Sequence, residues 1–580
     1  MSKPDETGPI ENEEQIPFNE EEQEIPFNEE EQEIPFNEEE QEIPFDEEEQ
    51  SADFVSFKVS ESLDHDDDDM NPTLILNNIN LCKAFFIGFQ FELVRANTIL
   101  FKIPTSILPL SVSVVNGFHD SPYLIECKIE LSSKNPYSSR PYFFKITNPT
   151  YDETFPGSIL IKNRYSNFFS PTYKPSANYR CQNYVLAPQV TADSEKIAST
   201  IETLVNEGFT EKQAKKALLF CSYDVNKARD YLISGLLPQT NFPIPLKYSD
   251  CPLFYLILEL CEAFFDMGDC CCVCGKKLGV YHLKPACCDK EQCQYSFLNL
   301  GVGTNIIGEI KRDPLATDFL IVLAGAACIA PRNPPVFEPS PNSSGIKFSK
   351  TFFEKLPSMK DICNRCNTDR DLKELIGENN YEILRFFILA NKAQLITLPK
   401  KVQVQIGSNS KQFLITSVSP ESELIFRSKR ELHGVKWLWH GSRAERWYRI
   451  LHTGLKDFGN TIYQLHAGPI YGDGIYMSDS FLYSYGYCVM AENIYKKSNL
   501  PKHIIVISLV ENANVPELVG PVAYQEYTQR DDSACITRVL FCYDASLRNN
   551  NNLIDYNALK NPPKVPTLSE VLSHQMEKYH

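Results

Sequence analysis

At 580 residues the chain is too long for one hydrophobic core, and its 43% hydrophobic content suffices for several. The net charge of −20 sits at one end: residues 1–70 hold 28 acidic residues against Lys3 and Lys58, leaving +6 on the remainder. That surplus is too mild to signal nucleic acid.

No charged-then-apolar leader opens the sequence, and the longest apolar run, Phe319 to Ala330, is too short to cross a bilayer. No membrane partner is expected, and the expected location is the cytoplasm, the nucleus or both. Nineteen cysteines in such a chain suggest metal ligands and free thiols rather than a disulfide framework.

Residues 1–72 carry a nine-residue repeat, IPFNEEEQE, with isoleucines at Ile16, Ile25, Ile34 and Ile43. One Ile and one Phe per repeat, amid glutamates, bury too little surface to offset ordering, so a disordered acidic tail is expected. A spacer accounts for it, although identical Ile-Pro-Phe units also suit repeated docking.

Residues 75–185 are aromatic and proline-rich, with strand-like YLIECKIELS and GSILIKN. The order IPTSILP, PYLIECKIEL, FPGSILI, FFSPTYKP resembles the ubiquitin-conjugating-enzyme-like (RWD/UBC) fold, which implies an α+β binding or structural module.

In residues 193–236, Ile197, Ile201, Leu204 and Val205 recur at helical spacing. The pattern breaks at EGFTEKQ, where Thr210 and Gln213 have capping-box spacing. Asp224 is placed to cap a third helix that Gly235 ends. Three short helices with a Gly-Phe in the first turn resemble a ubiquitin-associated (UBA) domain. The resemblance implies that Gly208-Phe209 and the end of the third helix contact ubiquitin or ubiquitylated proteins.

Residues 245–345 contain CCCVCGKKLGVYHLKPACCDKEQC, with Cys271-x-x-Cys274 and Cys288-x4-Cys293 separated by thirteen residues. Two thiolate pairs on short turns suit a closed tetrahedral structural Zn2+ site. Cys270, Cys272 and Cys287 leave the ligand choice open by one position, and His282 is a possible substitute. Cys363 and Cys366 form a lone pair.

A helical segment, 350–400, includes YEILRFFILANKA and leads into residues 400–548; residues 549–580 form a C-terminal tail. All three tryptophans lie within WLWHGSRAERWYRILHTGL. VKWLW reads as a strand, and Ser442 with Glu445 has capping-box spacing. His440 is therefore expected at a strand-to-helix junction, before a helix that buries Trp447, Ile450 and Leu451 and ends at Gly454. Downstream, Gly472 and Gly474 flank a turn into a short strand, Ile475 to Ser478, followed by an aromatic cluster ending at Tyr487.

His-Gly-Ser, then YGDGIY, then SYGY resemble the catalytic domain of the poly(ADP-ribose) polymerase superfamily, and most closely its mono-ADP-ribosyltransferase branch with an upstream cysteine-rich segment. The resemblance implies an NAD+ substrate, held by His440, Gly441, Ser442, Tyr476, Ser484 and Tyr487. His440 would donate to the nicotinamide-side ribose hydroxyl, Gly441 and Ser484 would clamp the carboxamide, and Tyr487 would stack on the nicotinamide with Tyr476 on its other side.

The leaving group departs from a cationic pyridinium and needs no proton, so such a site must orient rather than protonate. A third catalytic position falls in VAYQEYTQRDD. Counting without gaps gives Glu526, a shift gives Tyr524, and the two share a strand face that Tyr527 does not.

The expected fold class is multidomain α+β: a transferase fold of mostly antiparallel sheets, drawn as a pair with HIIVISLV and ITRVLFCY as buried strands, a UBA bundle and the disordered tail. The expected function is single ADP-ribose transfer to protein acceptors, with recruitment through ubiquitin. The alternative is an inactive ubiquitin-binding scaffold.

Overall fold

The computed structural model describes most of residues 72–571. Outside the description lie 1–71, 187–193, 235–243, 331–335, 407–409, 459–471, 548–563 and 572–580, parts of 109–120, 133–139 and 150–156, and a few single residues. The acidic repeat, Gly208, Thr210, Gly235, Tyr524 and most of the C-terminal tail therefore lie outside the described residues.

The helix Pro72–Phe85 precedes four strands, β1 (Gln90–Arg95), β2 (Thr98–Pro104), β3 (Tyr123–Glu130) and β4 (Phe143–Thr147), paired in that order as an antiparallel meander. In β3, Ile125, Cys127 and Ile129 face the core while Glu126, Lys128 and Glu130 face outward, the period of a half-covered sheet. GSILIKN is not a strand: it lies in the helix Ser158–Phe168. Ile161, Tyr165 and Phe168 are buried at three- and four-residue spacing, so packing overrides the local β-propensity.

The core of this module is completed from far down the chain. The helix Pro252–Asp266 buries thirteen of its fifteen residues, and it packs with residues 75–186 rather than with the cysteine-rich region. Arg164 bonds Glu259 and Asp266, and Arg180 bonds Glu262 and Asp266, across some eighty to one hundred residues of sequence. The boundary expected at 245 therefore falls inside a unit whose last helix follows an inserted bundle.

That bundle consists of the helices Ser194–Asn206, Glu211–Phe220 and Val225–Ser234. Its core is Leu204, Ala214, Ala217, Leu218, Cys221 and Ala228, with Phe209 packed against it. Val205 is exposed rather than in the core. Asp224 accepts from the Asn226 amide at 3.0 Å and so caps the third helix.

From residue 291 onward, seven α-helices among the described residues, Glu291–Leu300 to Glu378–Ala390, lead to the strands β5 (Gln394–Thr397), β6 (Lys411–Ser417), β7 (Val435–Gly441), β8 (Ile475–Ser478), β9 (Ala491–Glu492), β10 (His503–Ala513), β11 (Leu518–Val522), β12 (Glu526–Gln529) and β13 (Cys535–Asp544). They form one antiparallel sheet in the order β11-β12-β8-β7-β10-β13-β6-β5, with β9 on β10. A single path replaces the expected pair of sheets, but it has a weak joint, because β7 meets β8 at only one pair, Trp439↔Ser478.

The apolar helix Pro314–Ile329 packs against this sheet, where Phe319 stacks on Phe413 at 4.2 Å and 2°. No helix among the described residues is long and apolar enough to cross a membrane.

Candidate active site and cysteine cluster

The tryptophans act as anchors for the end of β7. Trp439 packs edge-on to Phe481, at 4.9 Å between centroids, and Trp447 is fully buried with Nε1 donating to the Val506 carbonyl at 3.3 Å. Between them His440, half-buried, meets Trp447 edge-to-face at 5.9 Å.

The capping box expected of Ser442 and Glu445 does not form. Arg443 takes the Glu445 carboxylate, and a 3-10 turn, Ala444–Arg446, precedes the helix Trp447–Thr453. Gly454, at φ 80°, ends that helix, which buries Trp447, Tyr448 and Leu451 and leaves Ile450 only partly covered.

Past the Trp439↔Ser478 pair the two strands part, and His440 bridges them: Nδ1 lies 2.8 Å from the Tyr476 carbonyl. A carbonyl only accepts, so Nδ1 carries the proton. Burial lowers the imidazole to about 4, with the Tyr476 carbonyl opposing the shift and Arg446 adding to it. The neutral ring therefore presents Nε2 as an acceptor, which reverses the donor role expected for His440.

Gly441 is fixed by space. A Cβ there would lie 1.7 Å from the Ser484 carbonyl oxygen. Ser484, buried on the helix Phe481–Gly486, donates its hydroxyl to the Trp439 carbonyl at 2.9 Å, so its lone pairs are what it offers an amide N–H. Ser442, next to Gly441 in sequence, is buried.

Cross-strand partners share a face, so Tyr476 and Ser478 lie on the same side as Thr528 and Glu526. Tyr527 points the other way into a cluster with Leu438, Ile475 and Met477. The Tyr476 hydroxyl donates to the Gly472 carbonyl at 2.7 Å. Gly474, at φ 146°, has no room for a side chain beside Thr528 and Gln529.

Glu526, 5% exposed, accepts from the Tyr483 hydroxyl at 3.0 Å, and Tyr487 donates to Tyr483 at 3.1 Å. Desolvation raises the Glu526 carboxyl, with the Tyr483 hydrogen bond opposing. Tyr487 is 53% exposed, leaving ring surface free for stacking. Tyr483, the link between them, escaped the sequence reading; its one signal was a place four residues before Tyr487, one helical turn.

The sulfurs of Cys271, Cys274, Cys288 and Cys293 all lie within 4.8 Å of one another, and Cys274 and Cys288 are 3.7 Å apart. Four thiolates at ~2.3 Å from one tetrahedral ion sit roughly 3.8 Å apart, so this donor set fits zinc. The neighbours point elsewhere: Cys270 enters the first core, Cys272 the core beneath the nine-stranded sheet, and Cys287 packs at the cluster's edge. His282 is not among the converging ligand atoms; its Nδ1 bonds Ser417 Oγ at 3.0 Å. Cys363 and Cys366 belong to no metal-like group among the described residues.

Residues 403–537 match the family of the poly(ADP-ribose) polymerase catalytic domain, and residues 197–232 match the UBA/TS-N domain. The protein mono-ADP-ribosyltransferase PARP8 of Mus musculus is 27% identical over 277 residues, 44% of this chain and 32% of that protein. The protein of the same name from Homo sapiens is 29% identical over 224 residues, 36% of this chain and 26% of its own length. The chain thus spans about a third or less of the relatives it matches.

Proposed function

We propose that this chain, which carries a poly(ADP-ribose) polymerase catalytic domain and a UBA domain, transfers single ADP-ribose units from NAD to protein side chains and releases nicotinamide. The observation that carries the reading is the fixed imidazole of His440 at the point where β7 and β8 part, inside the matched span. A neutral Nε2 accepts a hydrogen bond from a ribose hydroxyl and so orients the sugar. The exposed ring of Tyr487 supplies a stacking surface for the nicotinamide, and the lone pairs of Ser484 receive its carboxamide N–H. The C–N bond then parts through an oxocarbenium-like state without an acid: nicotinamide leaves as a neutral base, and the acceptor side chain bonds the anomeric carbon and gives its proton to solvent.

The burial of Glu526 and its bond to Tyr483 support single transfer, since a carboxylate so held is poorly placed to activate a second ribose hydroxyl. The similarity to proteins named mono-ADP-ribosyltransferases points the same way. The UBA domain supports recruitment to ubiquitin or ubiquitylated proteins. The four-thiolate cluster would hold a zinc ion with no open position, bracing the loop between two cores and supplying no reaction chemistry.

Incubation with labelled NAD tests the reading. Label is expected on protein with matching release of nicotinamide, and isotope-labelled ubiquitin should show resonance shifts on adding the chain. NAD that neither labels the protein nor raises its melting temperature leaves only the inactive-scaffold alternative.

A further inference from the structure

A cavity of about 370 Å³ lies between the cysteine-rich loop, the end of the helix Glu378–Ala390 and the first turn of the helix Pro420–His433. That volume suits a small molecule. None of His440, Tyr476, Tyr487 or Glu526 lines it, so it is separate from the transfer site.

Its wall combines an apolar floor, including Leu278, Phe297 and Leu389, with an excess of cations: four lysines face Asp289 and Glu421. Lys276 lies 3.6 Å from Asp289 and Lys277 lies 3.7 Å from Asp269. Among the described residues, Lys284 and Lys392 have no carboxylate within 4.0 Å, and Lys284 Nζ reaches only the Asn391 carbonyl, at 3.5 Å. The fourteen-residue helix adds the positive end of its dipole at Pro420 and Glu421.

His282 closes one side of the cavity. Its ring is part of the wall and only 2% exposed; Nδ1 is bonded to Ser417, and Nε2 has no hydrogen-bond partner. That nitrogen is itself closed off from water-sized groups, so the ring bounds the cavity without offering it a hydrogen-bonding atom.

We propose that this cavity binds a small organic anion: an apolar or aromatic body against Leu278, Phe297 and Leu389, carrying one phosphate or carboxylate between Lys284, Lys392 and the first turn of the helix Pro420–His433.

Calorimetric titration of the full chain with naphthyl phosphate and with naphthoate tests this, with naphthol and inorganic phosphate as half-ligands. At least one of the two acids should bind once per chain, at least tenfold more tightly than either half-ligand, and the tighter acid identifies the group. Lys392→Glu, on an exposed side chain, and Lys284→Gln should each weaken that binding at least tenfold, and saturating NAD should not displace the probe. Failure of both acids to bind, unchanged affinity in both variants, or displacement by NAD would each overturn the proposal. The readout is binding, so it stands or falls apart from ADP-ribose transfer.

Discussion

The Nδ1 of His440 and the carbonyl oxygen of Tyr476 are 2.8 Å apart, and this one bond fixes both the tautomer and the charge of the ring. It leaves Nε2 as the group that meets substrate. With the folded imidazole at about 4 against 6.5 for a free ring, the site stays neutral across the physiological range.

A pH prediction follows with a definite sign. Well above pH 6.5 neither state of His440 is protonated and its contribution to stability is complete. As pH falls the unfolded chain takes up a proton that the folded one refuses, so stability is lost progressively between 6.5 and about 4. His282, lowered to about 4 by burial, acts in the same direction. Thermal melts across this range should show the decline, and His440→Gln should flatten it. Transfer itself should not lose its histidine-dependent component until the pH approaches 4.

Gly441→Ala should abolish transfer and destabilise the fold by on the order of 3 kcal/mol, because the new methyl meets the backbone oxygen of Ser484 at 1.7 Å and neither strand nor helix can yield cheaply. Denaturant unfolding measures the loss. A stable Gly441→Ala protein with normal turnover would contradict the close approach.

Glu526 and Tyr527 are adjacent but face opposite sides of β12, so their substitutions should separate. Glu526→Gln weakens the acceptor of the Tyr483 hydroxyl and, through it, the seat of Tyr487. Transfer should fall by roughly tenfold, chiefly through a higher KM for NAD, as loss of a charged hydrogen bond implies. Tyr527→Phe removes only a 3.4 Å contact to Asp479 and should change transfer less than about twofold. Steady-state kinetics of the two variants decides which side chain faces the site.

How much of this was legible beforehand depends on the range of the signal. The paired spacing of Cys271, Cys274, Cys288 and Cys293 points to the four thiols that converge, because turn geometry is local, while the choice against Cys270, Cys272, Cys287 and His282 needed the fold. The position of His440 at the end of a strand is likewise local, carried by Trp437 and Trp439. Its hydrogen-bonding role was not legible, since the deciding acceptor is a backbone carbonyl thirty-six residues away. Nor was the fate of the helix Pro252–Asp266, whose partners Arg164 and Arg180 lie beyond the inserted bundle. GSILIKN misled because two isoleucines around a leucine favour a strand until a helix packs against them. The Ser442 cap failed because Arg443 competes for Glu445.

Metal removal gives a further test. Cys288→Ser should lose one zinc per chain by elemental analysis and lower the melting temperature by several degrees, since metal binding to a closed site is folding free energy. Cys287→Ser, outside the convergent set, should retain the metal. Equal zinc content in the two variants would contradict the assignment of ligands.

Intact-mass spectrometry of the chain and its acceptors after incubation with NAD addresses the central claim most directly. The expected spectrum shows adducts of one ADP-ribose unit, nicotinamide released in equal amount, and a loss of both in His440→Ala on the order of a hundredfold. An unmodified spectrum from the wild-type chain, or adducts formed equally well without the histidine, would contradict it.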